Sequence, residues 1–199
     1  DLSNMPKVQE IFEEQLKKCG TDHFDFYLLH NLCEDSVPVF TDPKKGVIPY
    51  LLEQKKNGRI RHFGLSSHAK PETLKAFLDQ YDFFEFVQLQ LNYLDWEMQD
   101  AKQQYEIVTN YGVPVWVMEP CRGGRLASLT PEADKLLTDC DPGRSVASWA
   151  FRYVMSLPNV GVILSGMTQM DQAENNVETF SEGKYLTGQE QKVLNQALE

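Results

Sequence analysis

The chain has 199 residues, of which 42% are hydrophobic, 24% charged and 11% aromatic, and its formal net charge is −10. That length carries one large domain with its own core. The acidic balance argues against a nucleic-acid or anionic-membrane partner, either of which favours a basic face. No apolar run reaches the roughly 20 residues that a bilayer span requires, and Asp1-Leu2-Ser3-Asn4 lacks the basic and apolar regions of a signal peptide. Cys19, Cys33, Cys121 and Cys140 are widely spaced without a C-x-x-C pair, so no metal or cluster is expected within the chain. Reduced thiols in the cytoplasm are the expectation.

The first predicted element is a helix. Pro6 suits its first turn, Val8, Ile11, Phe12, Leu16 and Cys19 fall on one face, and Gly20 is placed to end it in a left-handed cap. Phe24-Asp25-Phe26-Tyr27-Leu28-Leu29-His30 follows, a short apolar run that reads as a strand buried on both faces with an ionisable ring at its end. A polar loop from Asn31 to Pro43 leads into a helix carrying Ile48, Leu51, Leu52 and Lys55, stopped by Gly58. The segment from Arg59 to His68 is a strand ending in two serines and an imidazole, and Pro71 opens a helix with Leu74, Phe77, Leu78 and Tyr81 in phase.

From Phe86 to Asn92 the alternation is strict, placing Gln88, Gln90 and Asn92 on one face of a strand. A helix with Ala101, Tyr105, Val108 and Tyr111 follows, then a strand over residues 113–118 that runs into the basic, glycine-containing loop Glu119-Pro120-Cys121-Arg122-Gly123-Gly124-Arg125. Thr130 to Gly143 reads as an irregular connection. A helix with Val146, Trp149, Ala150, Tyr153 and Val154 in phase precedes a last strand at residues 160–164. After Ser165-Gly166-Met167-Thr168 come a helix bearing Met170, Ala173, Val177 and Phe180, and a final helix opened by the capping box of Thr187 and Glu190. That helix reaches Glu199 without a terminating signal.

Strands alternating with helices demand a parallel α/β architecture. An open doubly wound sheet and part of an eight-stranded barrel both fit the pattern, although the G-x-G-x-x-G fingerprint of the former is absent. In either, ligands gather at the carboxyl ends of the strands, where His30 sits. Taken singly the residues have blander readings. His30 suits a structural histidine, Gln88, Gln90 and Asn92 suit polar layers satisfied by one another, and Gly123-Gly124 suits an ordinary turn.

Taken together they resemble a family. Asp25 to His30, Gly58 to Ser66 and Gln88 look like successive strands of an aldo-keto reductase, and Gly166 with Gln172 and Asn176 resembles the cofactor-clamping segment after that family's last barrel strand. The resemblance covers nearly the whole chain. It implies a (β/α)₈ TIM barrel of which about five β/α units are present, a single incomplete domain over residues 1–199 without the first three strands. It also implies hydride transfer between NADP or NAD and a small-molecule aldehyde or ketone. His30 resembles the histidine that orients the carbonyl. Ser66, Ser67 and Gln88 resemble the group that seats the nicotinamide carboxamide, with Ser67 where asparagine is common. Glu119, Arg122 and Gly124 belong to the segment resembling the pyrophosphate site, and Thr168, Asn175 and Asn176 join Gly166 and Gln172 at the adenosine end.

The chain also departs from that family. The catalytic tyrosine, lysine and aspartate have no matching residues here, so the chain alone is expected to be inactive. Met118 stands where an aromatic ring often stacks on nicotinamide, and Glu119 brings a negative charge to the expected phosphate path. Gly166 and Gln172 occupy positions that often carry cations for the 2′-phosphate, which leaves NAD against NADP open. The Met118-to-Gly124 segment is similar to that of members followed by a ferredoxin-like iron–sulfur domain. Two other readings stand beside the reductase. One is a catalytically weak module that binds the cofactor for a regulatory partner. The other is an unrelated open α/β domain. Strands made to be flanked on both sides would also leave open edges, so self-association is expected.

Overall fold

The computed structural model describes residues 7–198; Pro6 and Glu199, both invoked above, lie outside the described residues. The described elements are α1 (Val8–Cys19), β1 (Phe24–Leu32), α2 (Val37–Phe40), α3 (Val47–Lys56), β2 (Ile60–Ser67), α4 (Pro71–Gln80), β3 (Val87–Gln90), α5 (Asp95–Met98), α6 (Ala101–Asn110), β4 (Val115–Met118), α7 (Pro131–Cys140), α8 (Val146–Met155), β5 (Val160–Ile163), α9 (Met170–Glu182) and α10 (Gly188–Ala197). The five strands run parallel in one sheet in the order β1-β2-β3-β4-β5, interleaved with helices. The chain resolves into two compact units, Asp1–Gln88 with Asn110–Val113, and Leu89–Thr109 with Pro114–Glu199.

In the first unit, α1 ends as its sequence requires. Gly20 takes φ +63° and its N–H meets the carbonyls of Leu16 and Lys17, which closes the last turn. Phe12 is the helix's fully buried anchor, edge-on to Phe24, Tyr27 and Tyr50, with the Arg59 guanidinium 5.1 Å above its ring. A second aromatic cluster, Phe63, Phe77, Phe83 and Phe84, fills the space under α4. Gly64 is required by packing: a Cβ there would sit 2.4 Å from the Phe86 ring. Below the strands, Glu85 gathers Lys55, His62 (3.2 Å) and the Phe63 N–H (2.9 Å).

The expectation that β1 is covered on both faces is corrected. Phe26 is 53% exposed and His30 is exposed as well, whereas Leu29 and Leu32 are buried. The reason is position in the sheet. β1 stands at the end of the strand order, and among the described residues no further strand lies beside it to flank those side chains.

The second unit is built around α8, where Trp149, Ala150 and Val154 are fully buried, with Leu137 of α7 and Leu194 of α10. Buried Arg152 ties this core to its rim, pairing with Glu190 at 2.6 Å and donating to the carbonyls of Lys184 and Tyr185. Glu190 in turn completes the expected capping box of α10 with Thr187. One expectation fails here. Thr130 to Gly143 is not irregular but contains α7, with Thr130 accepting from the Ala133 N–H and Pro131 in the first turn. In α9, of Met170, Ala173, Val177 and Phe180, Met170 at 74% and Val177 at 65% exposure face outward, Phe180 packs on the Phe151 ring at 5.5 Å, and Asn176 and Thr179 are buried. Periodicity fixes which residues share a face but not which face is covered.

Candidate functional site

The two units each present one candidate region. In the first, the carboxyl ends of β1 and β2 meet. Leu29 pairs with Leu65 and Leu32 with Ser67, so three steps along β1 answer two along β2, which is a β-bulge at His30 and Asn31. Asn31 adopts φ +64°, a conformation asparagine tolerates better than most residues. Two hydroxyls lock it there: the Asn31 N–H donates to Ser66 Oγ at 2.7 Å, and Ser36 Oγ donates to the Asn31 carbonyl at 2.9 Å. A bulge re-aims the side chain beside it, and here that side chain is His30, which lines a cavity of about 840 Å³ with Phe24, Phe26, Leu28 and Phe40.

Ser66 and Ser67 are both buried. Ser66 accepts from Asn31 and so keeps its own proton to give, whereas Ser67 accepts from the Ala69 N–H at 3.2 Å and shapes the turn after β2. Gln88 is half-buried, the second residue of four in β3.

The second region is a cavity of about 780 Å³ lined by residues that follow β4 and β5, among them Met118, Glu119, Gly124, Gly166, Gln172 and the pair Asn175 and Asn176. Glu119 and Arg122 both have left-handed backbone, φ +58° and +49°, as do Gly123 and Gly124. The resulting turns consume the loop's own amides: Arg122 N–H meets the Glu119 carbonyl, and Gly124 and Leu126 N–H meet that of Cys121. The Cys121 thiol lines the same cavity and is pushed up to about 11, by burial first and then by the Glu119 charge, so it stays protonated at neutral pH.

Arg122 does not line this cavity. Its Nε lies 3.0 Å from Oδ1 of Asp95, a side chain with 0% exposure, in an ionic contact without a directed hydrogen bond. The other carboxylate oxygen of Asp95 accepts from Asn92 Nδ2 at 2.7 Å and Gln90 Nε2 at 2.9 Å, and Asn92 also donates to the Glu119 carbonyl at 3.0 Å. Gln90 and Asn92 thus share a face as expected but are satisfied through Asp95, which sequence reading passed over. The signal for it was present: Asn92 Oδ1 accepts the Leu94 and Asp95 N–H groups just ahead of α5, an Asx turn that carries Asp95 inward.

At the far side of the cavity, Asn175 Oδ1 accepts from Ser145 Oγ at 2.8 Å and Asn176 Nδ2 donates to Ser165 Oγ at 3.0 Å. Each amide keeps its other polar group for a ligand. Ser145 and Ser165, both cavity-lining, were also missed. Gln172 Oε1 accepts from the Thr168 N–H at 2.8 Å and from Gln169, as part of the capping box of α9. Thr168 lies in that turn, outside the cavity wall. Among the described residues no group of three histidine, cysteine, aspartate or glutamate side chains is placed to hold a metal ion. No helix among them is long and apolar enough to cross a membrane.

The model of the Aldo/keto reductase family matches residues 4–198. No curated protein sequence matches the chain. Among solved structures it is similar to an aldo-keto reductase from Bacillus halodurans in its holo form, at 25% identity and a TM-score of 0.75, over 96% of this chain and 64% of that one. A glycerol dehydrogenase from Gluconobacter oxydans matches at 19% identity and a TM-score of 0.72, over 96% of this chain and 63% of that one. An aldo/keto reductase from Brucella melitensis matches at 16% and 0.70, over 96% and 67%. These likenesses cover five strands of the barrel fold, and the chain spans less than two thirds of the first relative's length.

Proposed function

This chain belongs to the aldo/keto reductase family, and on that premise we propose that the intact protein transfers a hydride between NAD or NADP and a small aldehyde or ketone. The observation that carries the proposal is the hydrogen bond from Asn31 N–H to Ser66 Oγ, which joins the β1 and β2 tips where the resemblance sets the carbonyl-orienting and nicotinamide-seating groups. The residues present suit the cofactor. A cavity of about 780 Å³ is within the range of small-molecule sites, and its half-buried thioether and two amides with unspent polar groups match a nucleoside's mixed surface.

When bound, the cofactor supplies the hydride. In this reading His30 donates a hydrogen bond to the carbonyl oxygen and fixes its direction. Ser66 gives its remaining proton, and Gln88 its amide, to hold the nicotinamide side of the site. Proton donation falls to a tyrosine that no residue of this chain matches, so the chain by itself is expected to be inactive. One incomplete barrel domain in a reducing, cytoplasmic setting is part of the same proposal, and the free cysteines fit it.

The test is loss of reduced-nicotinamide absorbance when the intact protein meets a panel of aldehydes, with NADH and NADPH in turn. His30→Ala should lower turnover by about 100-fold. Flat absorbance with both cofactors across the panel sinks the proposal, and cofactor binding without turnover favours the regulatory module. We also propose that this chain self-associates through its sheet edges, given the exposure of Phe26. Sedimentation should then show mass rising with concentration, and a monomer throughout would contradict it.

A further inference from the structure

We propose that the cavity of the second unit selects a dinucleotide without a 2′-phosphate, NAD over NADP. The inference rests on the cofactor reading above and sharpens it. Three features of the cavity point the same way. Its lining contains the carboxylates of Glu119 and Asp171 and, among the described residues, no lysine or arginine. The loop's cation nearest in sequence to Glu119 is Arg122, and it is committed to Asp95. That carboxylate is fully buried and held by Gln90 and Asn92, so its charge stays beside the Arg122 guanidinium, outside the cavity lining. Arg125, two residues past Gly123, is exposed and lies outside the lining.

The third feature is the start of α9. A free helix N-terminus attracts anions through its unpaired N–H groups. Here the chain's own side chains occupy part of that turn: Asp171 Oδ1 takes the N–H of Gln172, the third residue of α9, at 2.9 Å, and Gln172 Oε1 takes the Thr168 and Gln169 N–H groups just ahead of the helix. A phosphate monoester, close to dianionic at neutral pH, would therefore meet two carboxylates and no cation in the lining, with one amide of the α9 start already taken by Asp171. A ribose hydroxyl, in contrast, donates readily to a carboxylate, the pairing that generally favours the unphosphorylated sugar.

Calorimetric titration of the intact protein with NAD⁺, NADP⁺, 5′-AMP and 2′,5′-ADP tests this without recourse to turnover. NAD⁺ should bind more tightly than NADP⁺ by about tenfold or more, and 5′-AMP more tightly than 2′,5′-ADP, because like charges placed together in a site are penalised. The double variant Asp171→Asn with Gln172→Arg should narrow or reverse the NADP⁺ deficit, and its melting temperature reports whether it folds. Should that variant not fold, Asp171→Asn alone should raise NADP⁺ affinity severalfold. Equal affinities, or tighter NADP⁺, overturn the inference while leaving the cofactor reading intact. Failure of all four ligands to bind overturns both, and the two failures are thus told apart.

Discussion

The rim of the first unit and the cavity of the second are fixed by different kinds of force. Around His30 the geometry is set by main chain: paired strands, a one-residue bulge, and hydroxyls that grip the Asn31 peptide from both sides. Around Met118 and Glu119 it is set by side chains, with Asp95, Asn92, Gln90 and Arg122 holding a loop whose backbone is left-handed at four positions. The first should therefore be most sensitive to packing beneath it, and the second to the loss of a single charge.

The largest expected effect is on the charge-built region. Asp95→Ala strips the partner from Arg122, takes the acceptor from the half-buried Gln90 amide and one of two from the buried Asn92 amide, and should cost about 3 kcal/mol of stability in urea unfolding. A loss well under that would show the network to be idle. Next comes the packing-built region: Gly64→Ala drives a methyl into the Phe86 ring and should cost about 2 kcal/mol. Phe86→Leu in the same protein should return part of that loss, and simple additivity of the two would remove the steric explanation.

Ser66→Ala tests the rim without disturbing its packing. It deletes the Asn31 bond and should cost about 1 kcal/mol, with a larger effect on cofactor binding than on melting. The smallest expected effect is an acid limb. Burial raises the Glu190 carboxyl, but its bonds to Thr187 and to Arg152 outweigh that and hold it below its ordinary 4.5. Its folded value being the lower one, its stabilisation is present above about pH 4.5 and is lost as pH falls through the folded value. Glu190→Gln should flatten that limb of a pH–stability curve, and an unchanged slope would assign the acid sensitivity elsewhere.

The same contrast separates what was legible in the residues from what was not. The spacing of Val8 to Gly20, Pro71 at the first position of α4 and the capping box at Thr187 speak about neighbours a few residues away, and those elements form as read. α7 escaped because only Ala133 and Leu137 of its ten residues are buried, too few for a period to stand out, although Thr130 and Pro131 announced its start. The site residues divide similarly. His30 and Ser66 are strand-end residues whose rim follows from strand order. Arg122 was read as facing phosphate, yet its partner is a carboxylate 27 positions earlier in the chain, at Asp95.

Sequence alone determined the alternation of strands and helices, the polar residue types at the strand ends and the family resemblance, because each is written in local spacing or in motif order. Only the tertiary structure decided that Phe26 of β1 and Met170 and Val177 of α9 face outward, and that Arg122 pairs with Asp95 outside the cavity. Periodicity is a property of one segment. Coverage and ion pairing depend on which other segment lies opposite, and that is settled by competition among distant contacts that no short window contains.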